Sequence, residues 1–404
     1  MRTLLGLLLL LSGSLASAQD FQVSGKELAG KARVADGQAT LDLVRGKADQ
    51  ASSLSAKAEW RPDGSLRLSW EVLVDQGFGR GLATWLRHPG FSLEAWRPVT
   101  KTETAVLRRG PGGVLQGEVG GAAQTWIPAP DTSRWIVLVI PGLSTNNWNE
   151  VGIPYLDENQ RALRARGLEA RRLAIKTEDG VLKNAEFIAR EVRAEAARGR
   201  QVVLLAHSKG GTDTTAALAL YPDLRDKVLG VIAIQPVFGG SYVADLVGSS
   251  KALTGTVAVV FEKVFKGQRD AVLDLTHERR AAFVAEHPYP AAAVPTVVIR
   301  SSFDRKLSKS TIYPTQKYTK LRFHEPNDGM VALKDQVIPG AVETVTLEDL
   351  DHFEPGVRLE SEHKPTDVTN VGLDALLRAL AARPAPRAAA AVAPGRRVNL
   401  RLGE

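Results

Sequence analysis

The chain has no cysteine among its 404 residues. That excludes disulfides, a thiolate nucleophile, cysteine-based metal sites and a bacterial lipoprotein anchor. Beyond the N-terminus there is no uninterrupted apolar run long enough to span a bilayer. There is no internal repeat and no block of like charge. The 52 basic side chains are scattered among 45 acidic ones, so the formal charge of +7 reads as a solvated surface. Peripheral contact with anionic lipid or wall polymer is the other reading of that charge, and no nucleic-acid partner is expected.

What is present begins with "MRTLLGLLLLLSGSLASAQD". A basic start (Arg2), an apolar stretch (Leu4 to Leu11) and small residues at Ala16 and Ala18 form a signal-peptide pattern, with cleavage expected after Ala18. Export to the periplasm or beyond follows. An exported chain without disulfides must be held by its core, which a chain of this size can supply.

Two grammars divide the remainder. Residues 19–130 read as a small β-rich region ending in a linker. In "SLRLSWEVLV" the side chains of Leu66, Leu68, Trp70, Val72 and Val74 alternate onto one face, and the preceding "RPDG" closes a hairpin onto "SAKAEW". Trp60, Trp70, Trp85, Trp96 and Trp126 all fall here. They fit the core of a domain short of aliphatics, or a face for polymer or lipid. Residues 131–383 change character: "WIVLVI", "ARRLAIK", "QVVLLA", "VLGVIAI" and "TVVIR" are apolar strands separated by helical segments. That pattern predicts an α/β fold, a mostly parallel sheet covered by helices on both faces. The last helix carries Leu373, Leu376, Leu377 and Leu380 on one stripe. Residues 239–290 form an insertion, and residues 384–404 are low-complexity.

The chemistry centres on "VVLLAHSKGGTDTTAALAL". A serine between a buried strand and a helix, flanked by Ala206, Gly210 and Gly211, has the pattern of a nucleophile elbow. Ser208 is the expected nucleophile. The backbone N–H of Lys209 is one expected oxyanion donor, and that of Leu143, in "VIPGL" after the first strand, is the other. The Lys209 ammonium is expected to pair with Asp213 on the helix surface, and His207 to pack or orient the turn. A serine needs a base and the base an orienting acid, in the chain order serine, acid, histidine. His352 follows a strand-like run and is the expected base, with His363 as rival. Asp304, after "TVVIRSSF", and Asp328, in a turn after the strand-like "KLRFH", both satisfy the order. The residues alone leave that choice open.

Five segments between Val137 and Glu354 carry a family likeness: "VIPGL", "AHSKGG", "IQPVFGGSYVADLV", "PNDGMV" and "LDHFE". Together they resemble the α/β-hydrolase superfamily, and within it the secreted bacterial triacylglycerol lipases and esterases. Pro141 stands where that family has a histidine, and Ala206 where it has a glycine. The resemblance implies carboxylic ester hydrolysis on an ester or lipid substrate, makes Asp328 the acid, and makes the insertion a lid in which "LTGTVAVVFEKVF" is an apolar flap. Family members often hold a calcium near the histidine loop. Glu354 is an acidic residue in the expected place, but no second aspartate is clearly placed, so no metal and no cofactor is expected. A polyester- or phospholipid-directed hydrolase is compatible with the same residues. A non-catalytic envelope-binding protein on this scaffold is the alternative from another class.

Overall fold

The computed structural model describes residues 19–25, 28–45, 50–74, 99–119, 121–145, 148, 152–249, 269–304, 310, 312–358 and 363–383. The expected signal peptide, the flap 253–265, Trp85, Trp96 and the tail 384–404 lie outside the described residues.

The β-rich region is a closed antiparallel barrel of eight strands: β1 (Gln19–Gly25), β2 (Leu28–Ala35), β3 (Gln38–Arg45), β4 (Gln50–Trp60), β5 (Leu66–Val74), β6 (Val99–Arg109), β7 (Leu115–Val119) and β8 (Ala122–Pro128). Strand β8 returns to β1, with Val23 opposite Trp126, so the sheet has no open edge. The expected hairpin is β4–β5, with Lys57 opposite Ser69 and Trp60 opposite Leu66. Its turn uses Gly64 at φ +79°, and the Asp63 carboxylate accepts the Ser65 N–H. Alternation puts Leu66, Leu68 and Trp70 inside with Phe21, Leu107 and Trp126. The buried Trp126 indole donates to Gln124 Oε1 at 3.0 Å. Trp60, by contrast, is 36% exposed, so the tryptophans do not share one role.

The rest is a six-stranded sheet in which every pairing is parallel. In chain order come β9 (Trp135–Ile140), α1 (Asp157–Ala165), β10 (Glu169–Arg172), α2 (Val181–Ala197), β11 (Gln201–His207), α3 (Lys209–Leu220) and β12 (Val228–Ile234). The insertion then supplies α4 (Tyr242–Ser249), α5 (Arg269–Leu273) and α6 (His277–Glu286). After it come β13 (Thr296–Ser302), α7 (Tyr313–Phe323), β14 (Glu343–Glu348) and α8 (Pro365–Ala381). The spatial order is β10-β9-β11-β12-β13-β14. All six residues of β9 are buried, because both faces are covered. Ile136, Leu138 and Ile140 face the α2–α3 layer. Val137 and Val139 face the α1–α8 layer, where Leu373, Leu376 and Leu377 pack. Among the described residues no helix is long and apolar enough to cross a membrane.

One expectation fails. "KLRFH" is not a strand; its first four residues end helix α7. That helix turns Thr315, Gln316 and Thr319 inward, so it lacks the apolar periodicity that marks a helix in sequence.

A buried cation links the barrel to helices α1 and α8. Arg166 donates to Gln22 Oε1 of β1 at 2.9 Å, to Asn370 Oδ1 at 3.2 Å and to Asp374 Oδ1 of α8 at 2.7 Å. Removing one partner leaves a desolvated charge, whereas removing both with apolar groups does not. Asp374→Ala is therefore expected to cost about 3–5 kcal/mol in urea unfolding, and Arg166→Met with Asp374→Leu far less.

Candidate active site

Strand β11 ends at His207 and α3 begins at Lys209, leaving Ser208 as the bend, at φ +57° and ψ −129°. A serine rarely takes a positive φ, and holding it there costs of order 1–3 kcal/mol. The neighbours make room for it. A Cβ on Gly210 would lie 2.6 Å from Pro141 O and 2.7 Å from Ile140 O, and one on Gly211 would lie 2.7 Å from Pro236 Cβ. Both glycines are required by close approach. Gly142 is also closely packed: a Cβ there would lie 3.0 Å from Ser208 Cβ and 3.2 Å from the Tyr155 hydroxyl.

The bend brings the serine to an imidazole 144 positions away. Ser208 Oγ and His352 Nε2 are 2.7 Å apart, and His352 Nδ1 lies 2.7 Å from Asp328 Oδ2. A carboxylate only accepts, so Nδ1 carries the ring proton and Nε2 is the acceptor for the serine hydroxyl. Asp328 is fully buried, and its other oxygen accepts the Met330 and Val331 N–H groups at 2.9 and 2.8 Å. The "PNDG" segment builds that turn: Asn327 Oδ1 accepts from Gly329 N, and Gly329 sits at φ +98°. Asp304 lies elsewhere, exposed and paired with Lys320 at 2.5 Å. His363 is bonded to the Glu348 carbonyl and is likewise not at the serine.

"LDHFE" also has a local explanation. Asp351 Oδ1 accepts from Phe353 N and Glu354 N, and Glu354 Oε2 accepts from Asp351 N at 2.7 Å. This reciprocal pattern, of the capping-box kind, pins the loop on either side of His352. Glu354 is thus engaged with its own loop. Among the described residues no three histidine or acidic side chains are grouped to hold a metal ion.

The backbone N–H groups of Leu143 and Lys209 have no acceptor among the described residues. The amide of Gly142, which precedes Leu143, does have one, the Tyr155 hydroxyl. The Lys209 side chain corrects the expectation of a surface pair. Its ammonium is 1% exposed and lies 2.9 and 3.0 Å from the two oxygens of Asp213, which Asn184 also contacts. Burial raises the Asp213 pKa while Lys209 opposes the rise. The lysine is thereby held behind the turn. Beside Ser208 and His352 lies a cavity of about 40 Å³, lined by Leu143, Val243, Leu275, Met330 and Phe353 among others.

No family model matches the chain, and no curated protein matches it. Solved structures do. The metagenomic carboxyl esterase MGS0156 is similar with a TM-score of 0.51 at 19% identity, over 74% of this chain and 90% of that one. This chain has the α/β-hydrolase fold. The mature Bacillus licheniformis lipase BlEst2 is also similar, with a TM-score of 0.49 at 22% identity over 67% of this chain and 99% of its own. Within the α/β-hydrolase fold, Ser208 follows the third strand in spatial order and His352 follows the edge strand β14.

Two groups near the site had no local sequence signal. One is the Tyr155–His207 contact. The other is a clamp in which His277 bonds Asp245 of α4 at 2.6 Å and Asp335 at 3.1 Å. Lys334 also pairs with Asp335, and Tyr242 packs on the imidazole. Helix α4 supplies Val243 and Ala244 to the cavity, so the clamp holds one of its walls. Burial would lower the His277 pKa, but the hydrogen bonds to Asp245 and Asp335 outweigh it and push it up to about 9. A folded-state value above the unfolded 6.5 means that the clamp's stability is whole below 6.5 and is lost as pH rises through about 9. Thermal melts from pH 6.5 to above 9 are expected to fall more steeply for the wild type than for His277→Gln.

Proposed function

We propose that the protein is an exported serine hydrolase that cleaves carboxylic esters. The observation that carries this is the continuous relay from Ser208 through His352 to the buried Asp328, with both contacts at 2.7 Å. The N-terminal signal-peptide pattern supports export. We divide the chain into two units, residues 19–130 and 131–383, a division that the closed barrel and the parallel sheet support.

In the proposed cycle, Ser208 Oγ attacks the ester carbonyl as its proton passes to His352 Nε2. Asp328 stabilises the imidazolium and keeps the ring in its orientation without taking the proton. The carbonyl oxygen becomes an oxyanion held by the N–H groups of Leu143 and Lys209, each donor contributing about 3 kcal/mol to the transition state. Collapse expels the alcohol, which takes its proton from His352 and leaves an acyl group on Ser208. Water then attacks the acyl carbon with His352 as base, releasing the acid and restoring the serine.

The cavity supports an uncharged acyl group, because its lining is apolar apart from Ser208, Ser241 and His352. Its volume of about 40 Å³ supports a short one, at about 10–15 Å³ for each water-sized group.

Fluorophosphonate labelling tests the reading. The wild type is expected to label and Ser208→Ala not to; an unlabelled wild type would favour a binding protein on a hydrolase scaffold. Asp328→Asn is expected to lower kcat roughly ten-thousand-fold, by loss of the correct histidine tautomer. Asp304→Asn is expected to leave it unchanged. Along a nitrophenyl ester series, kcat/KM is expected to peak at acetyl to butyryl and fall at octanoyl.

A further inference from the structure

The proposed mechanism leaves one buried polar group beside the nucleophile unexplained. His207 precedes Ser208, is 2% exposed, and its ring centroid lies 5.1 Å from that of His352. A second imidazolium there would oppose the positive charge that His352 acquires in each turnover.

The hydrogen bonds around His207 allow only one arrangement of protons. The Gly142 amide can only donate, and it does so to the Tyr155 hydroxyl at 3.2 Å. The phenol proton is then free to donate to His207 Nδ1, 2.5 Å away. At the far end Gln235 Nε2 lies 2.5 Å from Ser301 Oγ and 3.0 Å from the Asp351 carbonyl. The carbonyl only accepts, so that atom is the amide nitrogen and Gln235 Oε1 is an acceptor. His207 Nε2, 3.0 Å from Gln235 Oε1, must therefore carry the ring proton. Ser301 passes its own proton to the Leu350 carbonyl at 2.9 Å.

We propose that Tyr155, His207 and Gln235 are positioning residues. They form one hydrogen-bond chain that holds the oxyanion loop and the histidine loop in register about Ser208. Every bond runs in the same sense, from the Gly142 N–H through Tyr155, His207 and Gln235 to the Asp351 carbonyl next to His352. Such a chain polarises cumulatively, and it is buried throughout. Its first link orients the Gly142 peptide, and with it the amide of Leu143. Its last link fixes the peptide that carries His352. Tyr155 is also wedged in place: a Cβ on Gly356 of the histidine loop would lie 2.5 Å from its ring.

The protonation states agree with this arrangement. Burial, and secondarily the neighbouring His352, push the His207 pKa down to about 3, and burial raises that of the Tyr155 phenol. His207 thus stays neutral at working pH as a passive link. Part of this inference rests on Ser208 being the nucleophile; the proton arrangement does not.

Two measurements test it. The first is ¹⁵N–¹³C correlation NMR on histidine-labelled wild type, with His207 assigned by its loss in His207→Gln. The inference expects the Nε2–H tautomer of His207, unchanged from pH 5 to 8; an Nδ1–H tautomer or a titrating ring overturns it. The second is kinetic. Tyr155→Phe keeps the ring but removes the acceptor of the Gly142 N–H. It is expected to lower kcat and the rate of fluorophosphonate labelling roughly ten- to hundredfold with KM little changed, as a small misplacement of donors would. Gln235→Glu keeps the acceptor but removes the donors to Asp351 and Ser301, and should lower kcat in the same way. Unchanged kcat in a folded Tyr155→Phe overturns the positioning role. If that variant does not fold, the wild-type spectrum decides. A wild type that fails to label at all defeats the hydrolase reading instead, and the tautomer still reports on the chain.

Discussion

The site depends on a single strained residue. Ser208 sits at φ +57° between a strand buried on both faces and a helix that starts one residue later. Strain of that size persists only where the surroundings over-determine it. Glycines at 210 and 211 let the loop after β9, the first turn of α3 and Pro236 close in to distances no side chain would tolerate, and Gly142 packs tightly against Ser208. Any Cβ at 210 must displace two carbonyl oxygens of the β9 end, which carry the loop that holds Leu143. The bend, the loop and the helix start are therefore one object, packed on the two hydrophobic layers of the sheet.

Around that object the charges are sorted by burial and pairing. Asp328 is enclosed and meets two backbone amides and His352. Lys209 is turned away into the α2–α3 layer, where Asp213 takes its charge and Asn184 donates to Asp213, leaving only the Lys209 amide on the side of the serine. A buried ion pair of this kind is weak evidence for net stability. Its effect on the site is positional: an ammonium that would otherwise compete for an oxyanion or for Asp328 is committed elsewhere. Arg280, nearby and 1% exposed, is likewise held by the Phe238 carbonyl and by two aromatic rings.

Much of this was legible from the order of residues. Strands β9 and β12 are apolar throughout, and β11 and β13 carry apolar runs at Val202–Ala206 and Val297–Ile299, so their type and the burial of those runs can be read locally. The serine hinge follows from small residues placed where a strand meets a helix. The choice between Asp304 and Asp328 could not be read from physics alone, because both stand on the C-terminal side of β13. It turns on whether a carboxylate is enclosed by backbone amides or left to a surface lysine, and only tertiary packing reveals that. The same limit hid Tyr155, 52 positions from His207, and Asp245, 32 positions from His277. Helix α7 was missed because its inward face is threonine and glutamine. The barrel was visible only as strands, since closure of β8 onto β1 leaves no mark on either one.

The central claim is that this bend makes Ser208 a nucleophile that carries an acyl group during turnover. Acid-quenching the reaction with a butyryl nitrophenyl ester within the first turnover, then mapping the modified peptide by mass spectrometry, tests it most directly. The account predicts a single butyryl group on Ser208 in the wild type. Turnover with the group on another residue, or turnover undiminished in Ser208→Ala, would contradict it.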